Sequence, residues 1–390
     1  MPKTKKTVYL DYAATTPVDP QVLKAMLPYF STRFGNSMSL HALGQEAKSA
    51  LEQSRKQIAN IIGAKTSEIF FTGSASESNN LAIKGVAFAN KDRGRHIIIS
   101  AIEHPCIMQS AAFLEKHAGF TITRLRVDKF GQVNPADVAK AITKETILVS
   151  IMHANNEFGT IEPIAKIGQI CRDKGVLFHT DASQTFAKLL IDVNKMKIDL
   201  LTASSHKIYG PKGAACLYIR SGTGIEPILH GGSQEFNRRA STVNVPAIVG
   251  FAKASTICVK RMARENKRLA SLRDKLIKGV LSRISRSRLN GHPKLRLANN
   301  ANFSFDFVEG ESIILSLNAL GIAASTGSAC SSDKLEPSHV LLAIGLRIEQ
   351  AHGSLRLTLG RWTTEKDINY VLKVLPKIIK NLRIISPFKI

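Results

Sequence analysis

One apolar run ends at a carboxylate in His179-Thr180-Asp181-Ala182-Ser183-Gln184, and another ends at a lysine in Leu200-Leu201-Thr202-Ala203-Ser204-Ser205-His206-Lys207. Hydroxyls and imidazoles surround both. Pyridoxal phosphate (PLP) needs this combination. A lysine amine forms a Schiff base with its aldehyde, and an anionic partner keeps the pyridine nitrogen protonated so that the ring acts as an electron sink. Hydroxyl and backbone donors hold the phosphate. The two residues alone are suggestive only, since lysines after strands are common and most are solvated.

Phe71-Thr72-Gly73-Ser74-Ala75-Ser76-Glu77 is a small-residue turn between a predicted strand and a helix. Small side chains let backbone N–H groups approach an anion, and a helix N-terminus favours negative charge. The competing reading is a plain capping turn, with Ser76 as the cap and Glu77 in the first turn. Beside Asp181 and Lys207, phosphate is the expected occupant. His104, in Glu103-His104-Pro105, follows the strand His96–Ser100, where an imidazole can stack on a pyridine ring and move protons; a lone histidine is more often structural. Asn155-Asn156-Glu157 offers an amide at the same edge, or simply starts a helix. Arg356 interrupts an apolar strand and suits bidentate capture of a substrate carboxylate; an ion-paired strand arginine is the other reading.

Cys330 lies in Ala324-Ser325-Thr326-Gly327-Ser328-Ala329-Cys330-Ser331-Ser332-Asp333. Nothing in this stretch packs a core. A mobile loop that carries one accessible cysteine is expected to deliver a nucleophile, with an incidental exposed thiol as the alternative. The other cysteines, Cys106, Cys171, Cys216 and Cys258, sit beside apolar residues and read as ordinary buried thiols. Five widely spaced cysteines without a CxxC argue against a disulfide framework and against zinc, so no metal site is expected.

The elements that must position these residues alternate as in an α/β protein. Candidate strands are Ile69–Thr72, His96–Ser100, Thr121–Arg126, Thr146–Met152, Val176–His179, Leu200–Ala203 and Ala215–Ile219. Amphipathic helices are predicted over Gln45–Ile62, Ser78–Ala89 and Ile164–Asp173. Seven strands at this rhythm give a mostly parallel sheet that binds ligands beyond its carboxyl ends, where Asp181 and Lys207 fall. From about Ala263 the texture changes. A long charged helix over Ala263–Ile284 precedes a half-exposed antiparallel strand at Ala301–Phe307, a helix at Glu311–Leu320, a strand at Leu355–Leu359 and a final basic helix. The expected organisation is a large domain over 15–262 and a smaller α+β domain from 1–14 and 263–390, with the cysteine loop at about 324–336.

Hydrophobic residues make up 44% of the 390 and charged residues 22%, as in ordinary globular chains. No apolar run approaches the ~20 residues of a membrane span, and no secretory signal is present, so a cytoplasmic location is expected. The formal net charge is +24. Such a field attracts nucleic acid or an acidic partner, although a general basic bias explains it equally. The run Lys260-Arg261, Arg264, Lys267-Arg268, Arg273, Lys275, Lys278, Arg283, Arg286 and Arg288 is the best candidate for a partner surface.

Taken together, the motifs resemble those of cysteine desulfurases of the IscS/NifS type, class V aminotransferase-like PLP enzymes of fold-type I. The resemblance runs nearly end to end, through Leu10-Asp11-Tyr12-Ala13-Ala14-Thr15-Thr16-Pro17, His-x-Asp-x-x-Gln at 179–184, Ser-x-His-Lys at 204–207, Ile208-Tyr209-Gly210-Pro211-Lys212-Gly213 and Gly327-Ser328-Ala329-Cys330. The cysteine loop is of the long kind found in group I. The resemblance implies that Lys207 bonds PLP, Asp181 pairs with the pyridine nitrogen, Gln184 faces the phenolic oxygen and His104 stacks on the ring. It places Ala75, Ser76, Ser204 and His206 at the phosphate, with Thr242 reaching it from the opposite subunit of a homodimer. Asn156 lies near the substrate, Arg356 holds the carboxylate of L-cysteine, and Cys330 takes the sulfur as a persulfide, releasing alanine.

Sulfur acceptors such as an iron–sulfur scaffold or a tRNA-thiolation relay are implied as partners. The chain departs from the family pattern at Gly73-Ser74, Ser37, Ser233 and Ser241. It ends at Ile390, short of the tail by which many relatives dock the scaffold, which weakens that partner inference. The alternatives are a selenocysteine lyase or another class V PLP enzyme that makes little use of Cys330, or a sulfur-relay or tRNA-associated binding protein that uses its basic surface.

Overall fold

The computed structural model describes residues 7–327 and 337–387; Cys330 and the rest of 328–336 lie outside the described residues. A short strand β1 (Val8–Tyr9) precedes the seven strands of the main sheet. These are β2 (Ile69–Thr72), β3 (His96–Ser100), β4 (Thr121–Leu125), β5 (Thr146–Ser150), β6 (Leu177–Asp181), β7 (Leu200–Ser204) and β8 (Ala215–Ile219). They differ from the predicted runs by a residue or two at most. The order is β2-β8-β7-β6-β5-β3-β4. The pairings from β7 through β4 are parallel, whereas β8 runs antiparallel to both β7 and β2.

Both faces of this sheet are covered, as a parallel sheet requires. In β3, Ile98 packs into one core with Ile58, Val149, Phe178 and Phe251, while Ile97 and Ile99 point to the other with Leu81, Ile107 and Leu148. The alternation of period two therefore survives inside a run that is apolar throughout. The predicted helix at Gln45–Ile62 begins at Ala42 and stops at Gly63, which takes a φ of 71° that L-residues avoid. The helix predicted at Ser78–Ala89 runs as Ala75–Asn80, a π-helical turn Leu81–Gly85, and Val86–Asn90. A Cβ on Gly85 would lie 2.5 Å from the Glu226 carbonyl oxygen, so a glycine permits that close approach.

The charged helix predicted from Ala263 is the second half of one helix, Val245–Arg283. What changes near 263 is its surroundings. Phe251, Ala252 and Cys258 face the main-sheet core, whereas Leu269, Leu276 and Val280 face a second core. That second core lies on β9 (Ser287–Asn290), β10 (Asn300–Phe305) and β12 (Ser354–Thr358), an antiparallel sheet in the order β12-β10-β9. The helix Glu365–Ile385 covers it through Ile368, Leu372 and Leu375. β1 pairs in parallel with β11 (Ile322–Ala323), and Val8 and Leu10 join the same core.

The expectation of a half-exposed strand near 301–307 is overturned, because all six residues of β10 are buried. The alternation itself is present. Ala301, Phe303 and Phe305 enter the second core. The polar face does not meet water: Asn302 and Ser304 are bonded by Asn290, while the Asn300 and Asn302 amides donate to the Glu157 carbonyl beside the main sheet. Most buried polar groups are paired, and here the pairing joins the two sheets, although Asn290 Oδ1 and Asn300 Oδ1 have no partner among the described residues. Among the described residues no helix is long and apolar enough to cross a membrane.

Candidate active site

β6 and β7 are neighbours, and each ends where its apolar run meets a polar turn. Asp181 closes β6 and is buried. Its Oδ1 accepts from the Ser183 backbone N–H (2.8 Å) and Oγ–H (2.6 Å), and its Oδ2 accepts from Asn79 Nδ2 (2.7 Å). Past β7, the 3-10 turn Ser205–Lys207 carries the lysine, whose Nζ donates to the carbonyls of Ala13 and Ala14, each at 2.7 Å. Burial, with Arg356 and Lys188 adding to it, lowers the Lys207 amine from 10.5 to about 8, against the pull of Asp181 and Asp11. A fraction of that amine is neutral at ordinary pH and able to attack a carbonyl.

Both residues line a cleft with about 330 Å³ of open space, together with Ala75, Ser76, His104, Asn156, Gln184, His206 and Arg356. That volume lies at the lower end of small-molecule sites. Gln184 is anchored through Nε2 to the Ala13 carbonyl at 3.0 Å. His206 sits with Nδ1 3.1 Å from Thr15 Oγ1, and burial lowers it to about 4. His104 caps the helix Pro105–His117, its Nδ1 accepting from the Cys106 N–H. Arg356 is ion-paired, as one of its sequence readings had it, and it stands in the cleft wall where the other would need it. It pairs with Asp11 (2.8 Å) and donates to the carbonyls of Gly327 and Asn156, yet it lines the cleft and its buried Nε has no partner among the described residues.

Two readings need correction, the cap of the phosphate turn and the helix start at Asn155. The cap of the phosphate turn is Ser74, whose Oγ accepts from the Glu77 N–H, and not Ser76. Ser76 is thereby left in the cleft wall. Ser204 is buried with an unpartnered Oγ and does not line the cleft, and Thr242, expected to serve the opposite subunit, is exposed and outside this chain's own cleft lining. Asn155 starts no helix; its Oδ1 accepts from the Glu157 and Phe158 N–H groups in a turn, leaving Asn156 facing the cleft.

Several wall residues were not singled out from sequence: Asn79, Glu103, Cys106, Glu157, Ser183 and His339. Cys106 was read as an ordinary buried thiol. It is half-buried instead, because Pro105 starts the helix and turns its first residues toward the cleft, whereas Cys171, Cys216 and Cys258 are buried. Asn79 had a usable signal, standing one helical turn after Ser76 and therefore on the same face. Glu103 is buried, and burial pushes its carboxyl from 4.5 to about 8 although Oε1 accepts from Ser100 and Met152. Glu157 is likewise held above the usual carboxylate range by burial.

The donor set fits PLP. A doubly anchored carboxylate meets the need of a pyridinium nitrogen, and a partly neutral lysine meets that of an aldehyde. A short-side-chain turn at a helix N-terminus, with the orphaned Ser204 hydroxyl nearby, meets that of a phosphate. A parallel sheet with such a lysine and carboxylate beyond adjacent strand ends defines the fold-type I class of PLP enzymes. The chain belongs to the aminotransferase class-V family, whose model matches residues 8–371.

The chain is 54% identical over 385 residues to the cysteine desulfurase IscS of Dictyoglomus turgidum, covering 99% of this chain and 98% of that one. It is 52% identical over 382 residues to the cysteine desulfurase IscS of Methanosarcina thermophila, covering 98% and 94%. Among solved structures, a NifS-like protein superposes with a TM-score of 0.90 at 36% identity over 96% of this chain and 100% of that one. SspA in complex with cysteine superposes with a TM-score of 0.80 at 37% identity, over 92% and 100%.

Proposed function

We propose that this chain is a PLP-dependent L-cysteine desulfurase that converts cysteine to alanine and passes the sulfur to Cys330. The observation that carries the reading is the cleft itself, where the anchored Asp181 carboxylate, the partly neutral Lys207 amine and the Arg356 guanidinium face one space. When bound, PLP supplies an electron sink that weakens the bonds at Cα and, through it, the Cβ–S bond.

The remaining work belongs to side chains. Asp181 holds the pyridine nitrogen protonated, and the amide of Gln184 meets the phenolic oxygen. Ala75, Ser76 and His206 line the phosphate end with Ser204 behind them. Lys207 would anchor the cofactor, and its amine would hold the proton removed from Cα. The His104 imidazole would lie against the cofactor ring. Arg356 receives the substrate carboxylate, and Asn156, held through its own carbonyl by Arg356, orients the substrate. The Cys330 thiolate attacks the substrate sulfur, so that cysteine and one thiol become alanine and one persulfide; the thiol itself is a poor nucleophile.

The reading includes a homodimer in which Thr242 reaches the partner's phosphate. Thr242 is exposed, and the apolar side chains of Leu27, Phe30, Phe34, Met38 and Leu40 are exposed as well, a density unusual for a lone subunit. It also includes the division into 15–262 and 1–14 with 263–390, whose boundary falls within the helix Val245–Arg283 and is supported by the separate cores on either side. The persulfide then goes to an iron–sulfur scaffold or a tRNA-thiolation relay in the cytoplasm. Of the basic run, Arg268, Arg273, Lys275 and Arg283 are engaged within the chain. Lys260, Arg261, Arg264, Lys267, Lys278, Arg286 and Arg288 are exposed and are the ones an acidic or tRNA partner would meet.

The test is a visible spectrum of the purified protein, then addition of L-cysteine with a thiol reductant and assay of sulfide and alanine. The expected result is a PLP band lost in Lys207→Ala and sulfide release lost in Cys330→Ser. A band without sulfide refutes the desulfurase reading, and no band after PLP is added refutes the enzyme.

A further inference from the structure

Two side chains in the cleft wall have no part in the chemistry above. Asn79 is fully buried, and both hydrogens of its Nδ2 are directed, one to Asp181 Oδ2 at 2.7 Å and one to Cys106 Sγ at 3.2 Å. The amide orientation follows from the carboxylate, since the reverse would set Oδ1 against Asp181. Cys106 in turn places Sγ 3.0 Å from His104 Nδ1, and its backbone N–H donates to the same nitrogen at 3.2 Å. A backbone N–H only donates, so Nδ1 is an acceptor and the proton of the neutral ring is on Nε2. The sulfur already accepts from Asn79. Its own hydrogen can be directed at Nδ1, 3.0 Å away, while the neighbouring Ser76 hydroxyl can donate to the sulfur beside Asn79. The donors therefore run in one direction, from the amide to the sulfur and from the sulfur to the imidazole.

We propose that Asn79 and Cys106 are positioning residues that lock His104 as its neutral Nε2–H tautomer, which leaves Lys207 to carry the Cα proton. The inference rests on the functional reading above. The charged and titratable groups around His104 are Asp181 beyond β6, Lys207 beyond β7, His339 on the helix His339–Ala343, and Cys106 on its own helix; Glu103 acts on Cys106. Burial, Lys207 and His339 oppose a positive ring, and Asp181 favours it, with the net direction downward from the ordinary histidine value. A second donor on Nδ1 acts in the same sense, because protonation of Nδ1 would break both hydrogen bonds.

Two measurements on the holoenzyme test this. In protein labelled with 15N-histidine, the His104 signal, identified by its loss in His104→Gln, should show a pyridine-type Nδ1 and a protonated Nε2 near pH 8. A protonated Nδ1 overturns the proposal. Cys106→Ala removes the thiol donor and keeps the backbone donor. Loss of one such hydrogen bond favours the protonated ring by about fivefold, so kcat/KM on the acid limb should fall by up to about that factor while values above pH 8 stay unchanged. Cys106→Ser, whose hydroxyl can donate in the same direction, should restore the parent profile.

Superposable profiles for the parent and Cys106→Ala overturn the role of the thiol. If Cys106→Ala does not fold, the 15N spectrum of the unsubstituted protein decides. Absence of any visible cofactor band would instead defeat the functional reading, a result distinct from either outcome here.

Discussion

Glu235→Ala tests whether a buried ion pair supports the phosphate end of the cleft. Glu235 and Arg55 are each 2% exposed at the side chain and meet through two hydrogen bonds of 2.7 and 2.8 Å. Arg55 also donates to the Ile69 carbonyl and lies between the rings of Phe71 and Phe236. Glu235 Oε2 further accepts from the Phe71 N–H, at the strand that leads into the phosphate turn. Truncation removes the buried counter-charge and leaves the guanidinium only the half-exposed Glu52 carboxylate, 3.1 Å from Nε, at a cost toward the lower end of the about 3–5 kcal/mol of a broken buried pair. It also orphans the Phe71 N–H, about 1–3 kcal/mol by itself. These effects share partners and do not add fully, so a loss of about 4 kcal/mol is expected.

The assay is urea unfolding followed by far-UV circular dichroism at fixed protein concentration, since the proposed dimer makes apparent stability depend on concentration. The double variant Arg55→Leu/Glu235→Leu should lose less than the sum of the single losses, because no unpaired charge remains. PLP affinity should fall with Glu235→Ala as the end of β2 loosens. A loss below about 1 kcal/mol in Glu235→Ala, or single losses that add in the double variant, would refute the reasoning.

Two further expectations concern the cleft and one the basic surface. Arg356→Gln removes a positive charge that lowers Lys207, so the midpoint for PLP uptake by the apoprotein should move up from about 8 toward 10.5; a stopped-flow series in pH that shows no upward shift would count against it. Glu103 is near 4.5 when exposed and about 8 in the fold, so the native state holds an extra proton between those values. Its contribution to stability is therefore present below about pH 4.5 and lost as pH rises to about 8. Glu103→Gln, a mimic of the protonated acid, should flatten the urea midpoint across that window, and an unchanged slope would show that Glu103 is ionised in the fold. Binding of tRNA or an acidic scaffold to the exposed cations should weaken steeply with salt; salt-independent binding would remove the basic surface from the account.

Much of the site was legible because each key residue ends a strongly patterned run. In a sheet buried on both faces, chemistry is confined to strand ends, so Asp181 after β6 and Lys207 after β7 announced themselves. The phosphate turn was readable for the same reason, although its cap was misassigned between two serines that differ by two positions. Arg356 could not be decided from sequence, since a strand arginine looks the same whether it meets Asp11 or a substrate. The structure pairs it with Asp11 and leaves it in the cleft wall.

The sequence by itself determined the strands of the main sheet, its mostly parallel character and the identity of the lysine and carboxylate that define the cleft. Those follow from local periodicity and from where it breaks. Only the tertiary structure decided that the polar face of β10 is buried against Glu157, that one helix serves both cores, and that Asn79, Cys106 and His104 form a directed chain of donors beside Asp181. Each of these depends on residues far apart in the chain, and on desolvation and hydrogen-bond satisfaction that arise once separate elements share an interior. Local patterning carries no trace of a partner that only folding brings within three ångströms.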